Sequence, residues 1–243
     1  MAKKERLDLL VQKIEPSLSR SQIQSWIMQG KVKVDGVVVT KPGQATSPEA
    51  KIECDIHEQK YVSRAGFKME KALEHFQVPV EGVVALDAGL STGGFSDCLL
   101  QHGARKIYGI EVGYGQAHEK IRRDARVIVR EKTNLKDVTD LGEQVDLITL
   151  DLSFISVLKV MDAVDRLLKP GGGLIVLIKP QFEAGRYEVG KGGIVSDPAI
   201  HERVVKEVTQ GIEAHGYTCQ GVIESPILGT EGNKEFLTYC IKK

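Results

Sequence analysis

The sequence predicts an α/β protein: a largely parallel sheet with helices on both faces, preceded by a small α+β unit. Three observations predict it. Continuous apolar runs at residues 83–86, 106–110, 145–150 and 174–178 alternate with amphipathic helical stretches, the pattern of strands buried on both faces. Each run stops at a polar or glycine-rich signal: Asp87 and Gly89, then Glu111, then Asp151, then Lys179-Pro180. The first 58 residues follow another rhythm, helix, helix and hairpin, and so form a unit of their own.

Within that unit, Leu7, Leu10, Val11 and Ile14 recur at helical spacing over residues 4–15, and Pro16-Ser17 breaks the run. Ser19 reads as an N-cap with Gln22 as its capping-box partner, opening a helix that turns Ile23, Trp26 and Ile27 inward and stops at Gly30. Residues 31–39 alternate around Asp35-Gly36, a hairpin signal, and residues 51–56 alternate as a further strand. Lys+Arg and Asp+Glu both number 33, so net charge excludes no partner. Its distribution says more: residues 1–42 carry eight Lys/Arg against four Asp/Glu. Arg20, Lys31 and Lys33 gather around the second helix and the hairpin, as a solubilising surface or as a platform for a polyanion such as RNA.

Residues 59–62 form a short connector. Ser63 then reads as the N-cap of a helix to about Phe76, with Met69, Ala72, Leu73 and Phe76 as its apolar stripe and Arg64, Lys68, Lys71 and His75 on a wetted face. The strand at 83–86 runs into a turn made by Gly89, Gly93 and Gly94, and Phe95, Cys98 and Leu99 begin the helix that follows. Residues 127–130 are a third strand and 157–168 a helix, with Pro170-Gly171-Gly172-Gly173 punctuating before the strand at 174–178. Asp197-Pro198 opens a helix to about His215 that Gly216 stops, and strands near 220–224 and 236–241 close the chain. Cys54, Cys98, Cys219 and Cys240 form no C-x-x-C pair and have no histidine cluster beside them, so reduced thiols are expected rather than zinc or a disulfide framework. There is no signal peptide and no apolar run long enough to span a bilayer, so a cytoplasmic setting without a membrane partner is expected.

Ligands of open α/β sheets bind at the carboxyl ends of the strands, which gathers residues 89–94, Glu111, Asp151 and Lys179 around one crevice. The spacing G-x-x-x-G-G is neither the dinucleotide fingerprint nor a phosphate-binding NTPase loop. Glu111 lies 22 residues past Gly89, where a carboxylate can accept both hydroxyls of an adenosine ribose. A ligand with adenine, ribose and a small carboxylate in place of a pyrophosphate is S-adenosylmethionine, and this is the expected cofactor.

Two resemblances extend the reading. Arg6-Leu7-Asp8, Ser19-Arg20-Ser21-Gln22 and residues 30–36 resemble the small RNA-binding domain named after the fourth protein of the small ribosomal subunit. Residues 61–68 (YVSRAGFK), 87–97, 112–116 (VGYGQ), 132–134 (KTN), 151–156 (DLSFIS), 179–183 (KPQFE), and 225–227 (SPI) through 232–235 (GNKE) resemble the TlyA/hemolysin A family along nearly the whole chain. The resemblance implies an RNA-binding domain over residues 1–60 and a methyltransferase domain similar to FtsJ-type ribose methyltransferases over 61–243. The latter would be a Rossmann-like class I methyltransferase sheet, mostly parallel with its last strand antiparallel. It implies 2′-O-methylation of a cytidine in ribosomal RNA, with ribosomal RNA or ribosomal subunits as partners and no metal or stable protein partner.

Carried onto this sequence, the family's catalytic tetrad falls on Lys68, Asp151, Lys179 and Glu235. Cofactor contacts fall on Asp87, Gly89, Ser91, Thr92, Gly93, Gly94, Phe95, Glu111, Thr133, Asn134 and Asp151, and RNA contacts on Arg6, Arg20, Lys31, Lys33 and Arg64. A ribose 2′-hydroxyl is a weak acid and must lose its proton as it attacks. A lysine serves as base only where burial or a second cation disfavours its charged form. Lys179 is the better candidate for that base, Lys68 for the second cation, and Asp151 and Glu235 for orienting them. The chain departs from relatives at Ala88, Leu90, Glu111 and Ala65-Gly66-Phe67, none of which removes a tetrad group, and at the 59–62 connector. Two alternatives stand beside this reading: an RNA-binding protein with an inactive methyltransferase fold, and a membrane-active hemolysin.

Overall fold

The computed structural model describes residues 4–16, 18–55, 60–229 and 231–243. The chain divides into two compact units, Met1–Gln59 and Lys60–Lys243. The last residue of the strand expected at 51–56 and the first of the 59–62 connector lie outside the described residues.

In the first unit, β1 (Glu5–Arg6) leads directly into α1 (Leu7–Ile14), so residues expected to start the helix instead pair antiparallel with β4 (Ala45–Thr46). The capping box forms as expected: Ser19 Oγ accepts from Gln22 N while Gln22 Oε1 accepts from Ser19 N, and α2 (Arg20–Met28) follows. β2 (Val32–Val34) and β3 (Val37–Val38) make the hairpin, turned by Asp35 and Gly36 at φ 51° and 79°. Both turn residues at positive φ is what an Asp-Gly hairpin turn requires. β5 (Ile52–Cys54) joins the other edge of β2. Leu7, Val11, Ile23, Ile27, Val32 and Val39 form the core, with Trp26 half-buried at its margin.

The second unit opens with α3 (Ala65–Phe76), whose expected stripe is buried at Met69, Ala72 and Leu73 and half-buried at Phe76. Two expectations fail here. Ser63 makes no capping bond; Arg64 takes the N-cap position and the Ser63 hydroxyl is left without a partner. Lys68 is buried rather than wetted, because a third element packs over that side of the helix. Then follow β6 (Val84–Ala88), α4 (Gly94–Gln101), β7 (Lys106–Ile110), α5 (Glu119–Arg123), β8 (Val127–Arg130), β9 (Val145–Leu150), α6 (Met161–Leu167), β10 (Leu168–Ile178), α7 (Pro180–Glu183), α8 (Pro198–Ala214), β11 (Tyr217–Glu224) and β12 (Phe236–Lys242). The short α5 and α7 have no apolar periodicity long enough to announce them. Residues 170–173, expected as a break, are carried inside β10, whose register against β9 slips between Leu168 and Gly173.

The sheet order is β11-β12-β10-β9-β6-β7-β8. Its strands run parallel except β12, which is antiparallel to both neighbours. Side chains alternate between two apolar layers, Leu86, Ile148, Leu150 and Val176 toward α6 and α8, Ala85, Leu147, Ile175 and Leu177 toward α3 and α4. That is why the strands read as unbroken apolar runs. Because β6, β7, β9 and β10 are parallel and β12 runs against them, four strand ends and the start of β12 meet at one edge of the sheet. No helix among the described residues is long and apolar enough to cross a membrane.

The cysteine expectation needs correction. Cys219 and Cys240 are register partners on β11 and β12, and their sulfurs are joined in a disulfide, while Cys54 and Cys98 are free. The 21-residue separation hides a cross-strand neighbour that no short motif reveals.

Candidate active site

The site is built on the turn between β6 and α4. Gly89, Ser91 and Gly93 have φ of 83°, 49° and 92°. A Cβ at Gly89 would stand 2.3 Å from the Asp151 carbonyl oxygen, so only glycine lets the turn lie against the end of β9. A Cβ at Gly94 would stand 2.3 Å from Ser63 Oγ, which brings α3's entry against the first turn of α4.

Asp87 lies inside β6, deeply buried below this turn, and lines neither of the cavities described next. Its carboxylate accepts from Ser96 N at 3.1 Å, Ser96 Oγ at 2.6 Å and Thr149 Oγ1 at 3.0 Å. Burial pushes its carboxyl up to about 6, against the pull of those bonds, with the Asp151 charge adding to the rise. Asp87 therefore ties α4 to the sheet rather than presenting itself to a ligand.

Two cavities share Gly89, Ser91, Asp151 and Ser153 as a common wall. The larger, about 490 Å³, is walled by Ile110, Val112, Leu135, Leu152, Phe154, Ile155 and Val160, with Glu111, Gln116, Thr133 and Asn134 as its polar groups. Glu111 Oε2 accepts from Ser91 N at 2.8 Å and Oε1 from Gly113 N at 2.7 Å. Each oxygen has two lone-pair sites, so both keep one for a further donor. Thr133 N donates to the Glu111 carbonyl, which joins that segment to the same strand end.

The smaller cavity, about 290 Å³, is lined by Ser63, Arg64, Lys68, Thr92, Gly94, Phe95, Lys179 and Glu235 beside the shared wall. Here the four expected catalytic side chains form two ion pairs. Lys68 Nζ meets Glu235 Oε2 at 2.5 Å, with the side chains 8% and 3% exposed. Lys179 Nζ meets Asp151 Oδ1 at 2.7 Å, with the side chains 11% and 18% exposed. Ile178 and Phe236 are register partners, which sets Lys179 and Glu235 side by side at the ends of β10 and β12.

Other expected residues are placed differently. Gly93 lines neither cavity; a Cβ there would press on the Ile121 side chain. Arg64 reaches the smaller cavity and donates to the Leu228 carbonyl. In the first unit, Arg6 and Arg20 both clasp the buried Asp8, with Gln24 as a third donor, and Arg6's bonds hold that carboxyl well below the usual carboxylate range. Their side chains remain 50% and 49% exposed. Lys31 pairs with Asp55 at 3.6 Å, and Lys33 stands exposed on β2.

Three residues at or beside the site have no role in it from sequence alone. Ser63, expected as a cap, lines the smaller cavity. Ser153 accepts from Lys179 Nζ at 3.1 Å, and its position two residues past Asp151 is the only hint of it. Asn233, two before Glu235, is buried and binds Val195 N and the Gly193 carbonyl, joining the loop after α7 to the approach of β12.

The model of the FtsJ-like methyltransferases matches residues 61–242, and the model of the S4 domain matches residues 5–52. The chain belongs to the FtsJ-like methyltransferase family. It is 40% identical over 239 residues to Hemolysin A of Brachyspira hyodysenteriae, covering 97% of this chain and 99% of that relative. It is 38% identical over 242 residues to the 16S/23S rRNA (cytidine-2'-O)-methyltransferase TlyA of Mycobacterium tuberculosis, covering 98% and 90%. A solved chain from Streptococcus thermophilus superposes with a TM-score of 0.76 at 37% identity, covering 100% of this chain and 90% of that one. The cofactor of an FtsJ-like methyltransferase is S-adenosylmethionine, and the residues here fit it. The larger cavity offers an apolar slot beside a carboxylate with spare acceptor sites, as a nucleoside requires, and the smaller offers the unpartnered Ser63 hydroxyl beside a glycine turn.

Proposed function

We propose that this FtsJ-like methyltransferase uses S-adenosylmethionine to methylate the 2′-hydroxyl of a cytidine ribose in ribosomal RNA. One observation carries the reading: two lysine–carboxylate pairs, one buried and one half-buried, converge on a cavity that shares a wall with the nucleoside-sized one. The name of the Mycobacterium tuberculosis relative supplies the substrate.

Glu111 would hold the adenosine ribose of the cofactor, with Thr133 and Asn134 on the same cavity wall, and Ser91, Thr92, Gly94 and Phe95 would take its methionyl end. The cofactor supplies a methyl group carried as an electrophile on a sulfonium. Lys179 takes the proton from the attacking hydroxyl, and Asp151 holds the amine that does so. Lys68 presents positive charge to the developing oxyanion, and Glu235 keeps that buried cation in place and offsets it. Holding hydroxyl and donor in adjoining cavities supplies the positioning on which such a transfer depends. Residues near 1–60 hold the RNA and those beyond carry the chemistry. Arg6 and Arg20, fixed by Asp8 but half exposed, would grip its backbone together with Lys31, Lys33 and Arg64.

The test is transfer of a radiolabelled methyl group from S-adenosylmethionine to ribosomal subunits and to free ribosomal RNA. The wild-type chain should label RNA at a ribose, and Lys179→Ala should lower the rate on the order of a hundredfold or more. No labelling of any RNA would end the proposal; full activity of Lys179→Ala would end only the base assignment.

A further inference from the structure

Ser153 stands on the wall common to both cavities, where a methyl group must cross from donor to acceptor. Its hydroxyl accepts from Lys179 Nζ at 3.1 Å, and Asp151 Oδ1 takes the same nitrogen at 2.7 Å. Paired with Asp151, the amine rests as an ammonium; to act as base it first gives one proton to solvent, which leaves two hydrogens and one lone pair in three roughly tetrahedral directions. With a single acceptor, either of the other two directions could hold the lone pair. With two, both hydrogens are committed and the third direction belongs to the lone pair.

We propose that Ser153 is a positioning residue that, together with Asp151, fixes the rotation of the Lys179 amine so that its lone pair faces the hydroxyl to be methylated. This inference rests on the assignment of Lys179 as base. The arrangement also suits the product side of the step. The proton leaves the hydroxyl oxygen for Nζ and occupies the third direction, while the two existing hydrogen bonds stay where they were. Nothing has to reorganise as charge appears. The face of the Phe182 ring, its centroid 5.9 Å from Nζ, is favourable to the ammonium so formed. Asp151 and Ser153 are two residues apart on one segment leaving β9, so the backbone sets the spacing of the two acceptors.

The experiment compares Ser153→Ala, Ser153→Thr and Lys179→Ala in the full chain. It measures kcat and KM for methylation of ribosomal RNA and, by calorimetry, the Kd of S-adenosylhomocysteine. Ser153→Ala should lower kcat on the order of ten- to a hundredfold, leaving KM and Kd unchanged. Ser153→Thr, which keeps the hydroxyl, should recover most of kcat. An unchanged kcat in Ser153→Ala overturns the proposal, as does a loss that appears in KM or Kd instead, or a failure of threonine to rescue. If Lys179→Ala is itself fully active, the base assignment has failed; if it is inactive while Ser153→Ala is normal, only the role of Ser153 falls.

Discussion

Burial sets the behaviour of Asp87. Its carboxyl sits at about 6 in the folded chain against an ordinary value of 3.8. A carboxyl raised on folding binds its proton more tightly in the folded state, so the charged form costs stability above about pH 6, and that cost fades as the pH falls toward 4. Asp87→Asn cannot titrate. Between pH 7 and pH 4 the wild type should gain roughly 3 kcal/mol of unfolding free energy relative to Asp87→Asn, read from urea denaturation at each pH. A difference independent of pH would show that Asp87 titrates normally. The residue illustrates what a sequence can and cannot show. Its position at the end of an apolar run was legible, and with it the turn it supports. That the side chain points toward Ser96 and Thr149 and lines neither cavity depends on the pleat at one residue. Lys68 escaped in the same way. Helical spacing put it with Arg64 and Lys71 on a wetted side, but the approach to β12, 167 residues away, brings Glu235 over it.

The turn joining β6 to α4 is fixed from two directions. Its own backbone needs positive φ at Gly89, and the end of β9 leaves no room for a Cβ. Gly89→Ala should therefore weaken binding of S-adenosylhomocysteine at least about tenfold, since the left-handed backbone alone costs an L-residue about 1–2 kcal/mol and the contact with Asp151 adds to it. Calorimetry on a variant whose far-ultraviolet circular dichroism matches wild type would decide the matter, and wild-type affinity would mean that the turn can shift without harm. Strong periodicity made the long elements legible: β7, β8 and β9 lie where the apolar runs predict them. Elements defined by contact rather than pattern did not show. β1 exists only because residues 45–46 arrive beside it, and the 169–172 segment stays in β10 only because β9 tolerates the slip.

At the scale of the molecule, the basic surplus is confined to residues 1–42, with eight Lys/Arg against four Asp/Glu, so RNA affinity should depend on salt chiefly through that stretch. Arg20→Ala should reduce the slope of log affinity against log salt by about 0.7–0.9, the amount expected for one lost phosphate contact, with S-adenosylhomocysteine affinity unchanged. Equal slopes would show that Arg20 serves Asp8 alone. The two-unit plan was legible because composition and rhythm change along the chain; the pairing of Lys68 with Glu235 was not, because 167 residues separate them. That separation has a consequence for a chain still being made. β12 enters the sheet between two strands synthesised before it and brings Glu235 with it. Until it does, β10 has an open edge, and Lys68 lacks both its counter-charge and the segment that covers it. A chain in which β12 has not yet docked thus lacks one of the two ion pairs assigned above to the transfer step: on that proposal, pairing of β12 with β10 and completion of the site are one event.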